Sequence, residues 1–158
     1  MMIDHKEYGN LSELVSALTD TSLPLVSNLS NVSAVLGGME NINWAGFYIA
    51  EGGVLYLGPF QGKPACTRIP FGSGVCGTAA ESKKTVIVDD VDSFPGHIRC
   101  AAESRSEIVV PILKDGKTVA VIDIDSPVLA RFGRKEADEV EKIAGDLAGL
   151  FGQEKACH

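Results

Sequence analysis

Positive charge is scarce in this sequence, and so are long apolar runs and cysteine. Fourteen Lys and Arg stand against twenty-one Asp and Glu, for a net charge of −7 over 158 residues. The basic residues are scattered, so no stripe is available for nucleic acid or an anionic membrane surface. The longest apolar stretches, "IVVPIL" and "TVAVI", are far below the ~20 residues that span a bilayer. The opening "MMIDHKEYGN" has neither the apolar core of a signal peptide nor the Arg-rich character of a transit peptide, so a cytoplasmic location is expected. The partners to expect are small molecules or proteins. No internal repeat, low-complexity tract or linker interrupts the chain, and one domain over residues 1–158 is expected.

The four cysteines are Cys66, Cys76, Cys100 and Cys157. In a reducing compartment they are thiols with chemistry, or buried fillers, rather than a disulfide framework. The first three stand ten and twenty-four residues apart, without the close pairs of a zinc site. A zinc centre of Cys66, Cys76, Cys100 and His97 is therefore disfavoured, and no metal or cofactor is expected. The phosphate-loop pairing of Lys with Ser or Thr is also missing from the glycine-rich "FGSGVCG".

What is present reads as a layered α+β domain. "LSELVSALTD" and "PLVSNLSNVSAVL" space Leu and Val three or four apart, which predicts two helices, with Thr21 or Ser22 available to cap the second. "GG" at 37–38 ends it. "NWAGFYIA" and "VLYLGPF" around Glu51-Gly52-Gly53 predict a hairpin, and "SEIVVPIL" and "TVAVIDID" around Asp115-Gly116 predict another. Between them lie a short strand "TRIPF", a turn into a short helix at "GSGVCGTAAESKK", and a strand "TVIVDDV". The last helix sets Ala137, Val140, Ile143, Ala144, Leu147 and Leu150 on one stripe. Helices at both termini around two hairpins make a mostly antiparallel sheet with helices packed on it.

Several residues in this frame can carry chemistry. Period-two geometry places Asp123 and Asp125 on one face of the last strand, and Glu107 falls opposite or close to them when counted outward from the Asp115-Gly116 turn. Buried, such acids need a cation to offset desolvation. At a strand end they would simply meet water, and spacing leaves both readings open. Clustered acids raise one another's pKa, so one of them is a candidate proton donor near neutrality. Trp44 and Tyr48 share a face and suit a methyl group or a cation, or fill the core. Cys76, near a helix start, is read either as a thiol of lowered pKa or as a buried filler. Cys100 follows His97 and Arg99 in a loop-like stretch that favours thiolate. His97 itself reads as a surface histidine, and Cys157 as a tail thiol.

Three cysteines with these spacings, together with "NWAGFY", "GPFQGKPACTRIPFGSGVCGTAA", "FPGHIRCAAESRSEIVVPI" and "VIDIDSP", resemble the free methionine-(R)-sulfoxide reductases, which are built on a GAF domain. The resemblance is dense over residues 40–132 and looser in the flanking helices. It implies a GAF-like α+β fold and reduction of free L-methionine-(R)-sulfoxide, with thioredoxin as the external dithiol. On this sequence Cys100 matches the family's attacking cysteine, Cys66 the resolving cysteine and Cys76 the third. Glu107, Asp123 and Asp125 match the acids that contact the sulfoxide oxygen and the ammonium group, and Trp44 and Tyr48 match pocket aromatics. A homodimer is suggested by the same resemblance. The alternative is a non-catalytic GAF sensor module that binds a small ligand, for which the three-thiol pattern would have no purpose.

Overall fold

A computed structural model describes residues 10–97 and 103–152; Cys100 and Cys157 lie outside these. Helix α1 (Leu11–Leu18) begins at Asn10, whose side chain accepts from the Glu13 N–H at 2.9 Å. Helix α2 (Leu25–Gly37) begins after Pro24 with no side-chain cap. Neither Thr21 nor Ser22 caps it, because the chain turns earlier: Asp20 accepts from the Ser22 N–H at 2.7 Å, and Pro24 with its fixed φ leads straight into the first turn.

The first hairpin is β1 (Trp44–Glu51) and β2 (Val54–Gln61), turned by Gly52 and Gly53, both at positive φ. The β3 strand (Arg68–Pro70), helix α3 (Gly74–Ser82) and the β4 strand (Val86–Val88) follow. After a single 3₁₀ turn at Val91–Ser93 comes the second hairpin, β5 (Ser106–Lys114) and β6 (Lys117–Ser126), with Asp115 and Gly116 at positive φ as the two-residue turn requires. Helix α4 (Arg134–Ala148) closes the fold. Of its stripe, Ala137, Val140, Ile143, Ala144 and Leu147 are buried, while Leu150 lies past the helix end and is half-buried.

All six strands join one sheet in the order β3-β2-β1-β6-β5-β4, and every pairing is antiparallel. Pro111 is tolerated in β5 because β4 pairs only with residues 107–109, which leaves the strand an edge at that point. Alternation then gives the two faces different partners. Phe47, Ile108, Val110, Ile122 and Ile124 point to the face covered by α1, α2 and α4 and form the main core. Trp44, Tyr48, Val109 and Val121 point to the other face, covered by α3 and loops, where Leu55, Ile69 and Val75 build a second cluster.

One glycine is fixed by packing between strands. A Cβ on Gly46 would lie 2.3 Å from Phe60 Cβ and 2.8 Å from its Cα. The Gly46→Ala variant is therefore expected to lose about 1–3 kcal/mol of stability in urea denaturation, as overpacked sites do. Gly145, within α4 and with nothing within 4 Å of its would-be Cβ, is expected to gain ~0.5–1 kcal/mol on replacement by Ala.

Candidate active site

Strand register brings the sequence's candidate acids together. Across β6 and β5, Asp125 lies opposite Glu107; across β6 and β1, Asp125 lies opposite Trp44 and Asp123 opposite Gly46. All sit on the α3 face, and the acids are 5–8% exposed. Burial pushes each of the three carboxyls well above the usual carboxylate range. The next largest cause is mutual repulsion, from Asp125 on Glu107, Glu107 on Asp123, and Asp123 on Asp125. The strand-end reading, with acids meeting water, is thereby overturned. The Asp123 carboxyl is hydrogen-bonded to Glu107 and Cys76, while its enclosed Oδ1 has no partner among the described residues.

The acids form one wall of a small cavity of about 30 Å³, room for a water molecule or two as the side chains stand. Tyr48, Cys76 and His97 line it too, and Ile69, Ser104 and the start of α3 at Ser73–Val75 complete it. No lysine or arginine among the described residues lines the cavity. Ser73 makes no side-chain cap, so the first N–H groups of α3 are open to an anion opposite the acids.

Cys76 is a buried free thiol in the first turn of that helix. Of the two readings of Cys76, the buried residue is the one found and the lowered pKa is not. Burial pushes the thiol up, and the charges of Asp123, Glu107 and Asp125 push it further, outweighing any help from the helix start. Cys66 lies half-buried on the connection between β2 and β3 and is one half of a disulfide. The attacking position assigned to Cys100 lies outside the described residues.

The aromatic pair is core and site at once. Trp44 stacks on Tyr48 at 6.0 Å and on Phe60 at 5.3 Å, behind the cavity wall rather than on it. Tyr48 lines the wall, and burial followed by the charge of Asp123 holds its phenol protonated. His97 departs from expectation: its side chain is only 12% exposed, with Nε2 3.7 Å from Glu107 Oε1. It lines the cavity, and its charge draws the Asp123 pKa down. Sequence reasoning also passed over Ser104 and Asn43. Asn43 Nδ2 donates to Ser104 Oγ at 3.2 Å, while its buried Oδ1 has no partner among the described residues. Only its position next to Trp44 hinted at a role.

The zinc set considered from sequence does not assemble, since Cys66 is oxidised. A different set has ligand spacing: Cys76, Glu107 and Asp123 each offer an atom, all within 4.8 Å of one another. A divalent cation there would have to displace the protons that burial retains.

A curled antiparallel sheet with helices on one face, and a polar cavity on the other beneath a short helix, defines a GAF domain, and the GAF-domain family model matches residues 12–151. The free methionine-R-sulfoxide reductase of Saccharomyces cerevisiae is 50% identical over 80% of this chain and 76% of its own. That of Escherichia coli is 43% identical over 89% and 86%. The Neisseria meningitidis free methionine-R-sulfoxide reductase, solved with its substrate, superposes with a TM-score of 0.82 at 44% identity over 89% of this chain and 83% of that one. Within the GAF class, the chain belongs to the free methionine-R-sulfoxide reductase family.

The raised acids give a signed pH dependence. A carboxyl whose folded pKa lies above its unfolded value holds a proton in the folded state that the unfolded chain has lost, so stability falls as pH rises from about 4 through the folded pKa. Glu107→Gln removes one such group. It is expected to raise Tm at pH 8 by about 3 °C or more, the shift that ~1 kcal/mol produces in a domain of this size, with a smaller gain at pH 5.

Proposed function

We propose that this protein reduces free L-methionine-(R)-sulfoxide to methionine, and that it does so through a cysteine sulfenic acid. The observation that carries the reading is the buried trio Glu107, Asp123 and Asp125 beside a free thiol, in a cavity with no lysine or arginine among the described residues to match it. A free amino acid brings an ammonium group, which a methionine within a peptide does not. That group would pair with Asp123 and Asp125, each of which gives up a proton as the cation arrives. The substrate carboxylate would meet the open N–H groups of α3.

The chemistry follows from the proton held on the third acid. Cys100 thiolate attacks the sulfoxide sulfur while Glu107, kept protonated by burial and by Asp125, donates to the oxygen. The S–O bond and the transient bond between the two sulfurs break, methionine leaves, and the hydroxyl ends on Cys100 as a sulfenic acid. Cys66 thiol then condenses with it, forming a disulfide and releasing water. A dithiol such as thioredoxin returns both thiols by exchange and is itself oxidised to its disulfide. The pairing is supported by elimination: Cys66 is in a disulfide and Cys76 is a free thiol, which leaves Cys100 and Cys157 as possible partners, and Cys100 carries the motif. Cys76, its thiol held protonated beside the acids, is suited to shaping the pocket rather than to attack.

The decisive measurement is NADPH consumption in a thioredoxin-coupled assay with separated epimers. Turnover of the R epimer of the free amino acid is expected; turnover of the S epimer, or of neither, contradicts the reading. Tight cyclic-nucleotide binding with thiols inert to sulfoxide would favour a sensor module instead.

Two substitutions separate the cysteine roles. Cys100→Ser is expected to abolish turnover. Cys66→Ser is expected to release about one methionine per enzyme without thioredoxin, as an attacking thiol that cannot be resolved would. Sustained thioredoxin-dependent cycling by the Cys66 variant would move resolution to another thiol.

A further inference from the structure

The Cys66-bearing connection, residues 62–67, is fastened to its surroundings at points that bear on thiol chemistry. Trp44 Nε1 donates to the Lys63 carbonyl at 3.1 Å. Tyr48 Oη donates to the carbonyl of Cys66 itself at 2.9 Å. Lys63 Nζ forms an ion pair with Glu103, which stands three residues along the chain from Cys100. Both aromatics are almost wholly buried on β1, near the middle of the sheet, so their donors are held in fixed positions beneath the loop. Gly62 lets the connection lie this close: at φ +136°, a Cβ there would come within 2.5 Å of Trp44 Cδ1.

Elsewhere the loop is held by the disulfide at Cys66 and by the packing of Ala65 and Cys66 against the second cluster. Residues 62–64 are exposed, Pro64 has no N–H to donate, and the connection is bonded back to β2 at its far end through the Leu57 N–H and the Thr67 carbonyl. Condensation with a sulfenic acid needs the second sulfur held within bonding approach of the first. A loop without tethers would spend much of its time elsewhere.

We propose that the donor tips of Trp44 and Tyr48, together with the Lys63–Glu103 pair, are positioning elements for the resolving step, holding the Cys66 loop where disulfide formation occurs. The aromatic pair then serves two steps: Tyr48 presents its ring to the pocket, with Trp44 stacked behind it, and the polar ends of both side chains hold the thiol that follows. The ion pair ties the Cys66 loop to Glu103, three residues after Cys100 in the sequence. This inference rests on the Cys100–Cys66 chemistry proposed above.

The test follows one turnover. Reduced protein is mixed with stoichiometric methionine-(R)-sulfoxide, and samples are quenched with dimedone, which traps sulfenic acid. Mass spectrometry reads trapped sulfenic acid and disulfide relative to methionine released in the same sample. Lys63→Glu and Glu103→Lys, both at exposed positions, are each expected to lengthen the lifetime of the sulfenic acid by about two- to five-fold, and the double charge exchange to restore it. Tyr48→Phe, which keeps the ring and deletes the donor, is expected to lengthen it by about five-fold. Unchanged lifetimes in Tyr48→Phe and in both single charge variants, with the wild type resolving normally, overturn the proposal alone. Slowed single charge variants that the double exchange does not restore remove the ion pair from it. Wild-type protein that releases methionine and never forms a Cys66–Cys100 disulfide overturns the underlying chemistry, and the positioning role with it.

Discussion

Three carboxyl groups share one buried corner of the sheet, and much of the site's character follows from the cost of keeping them there. In water each would ionise; enclosed together, they hold protons and raise one another's pKa. The fold spends stability to maintain that state, since an apolar trio in the same register would face no such desolvation penalty. In exchange the site has a proton to give and acceptors open to a cation. The same charges push Cys76 up and thereby disqualify it as a resting thiolate, so one electrostatic feature distributes roles among several neighbours.

The corner can exist because the sheet separates its two faces so fully. Isoleucine and valine of β5 and β6 alternate with the acids, and the helices α1, α2 and α4 cover only the apolar side. Most of the ordinary hydrophobic burial is made there, which frees the α3 side to carry polar groups. The central strands supply the rigidity. Trp44 and Tyr48 stand on β1, which is hydrogen-bonded on both edges, and what they hold through their polar tips is held firmly. The cavity wall, to which Tyr48 contributes, and the hydrogen bonds to the loop, which both side chains make, thus share one aromatic pair.

Much of this was legible in the residues because its causes are local. Asp115-Gly116 and Gly52-Gly53 demand tight turns, and once a turn is fixed, period two places Asp123, Asp125 and Glu107 on a common face by counting. Other features were not legible, because they depend on partners distant in sequence. The lead-in to α2 went to Pro24 and not to Thr21 or Ser22. His97 reads as a surface residue until the chain is folded and it lies 3.7 Å from Glu107. Cys76 at a helix start left a lowered pKa and a buried filler both open; burial against three acids from two strands decided for the second and raised the pKa. Asn43 and Ser104 carry no motif, and sixty-one residues separate them.

By itself, then, the sequence determined the elements, the antiparallel hairpins, the facing acids and the family, since turn chemistry, alternation and motif spacing act over a few residues or are matched residue by residue. Tertiary structure alone decided how dry the acid corner is, which way each pKa moves, and what secures the Cys66 loop. The physical reason is that desolvation and charge repulsion depend on everything that surrounds a group, and those surroundings come from strands and loops that only the fold brings together.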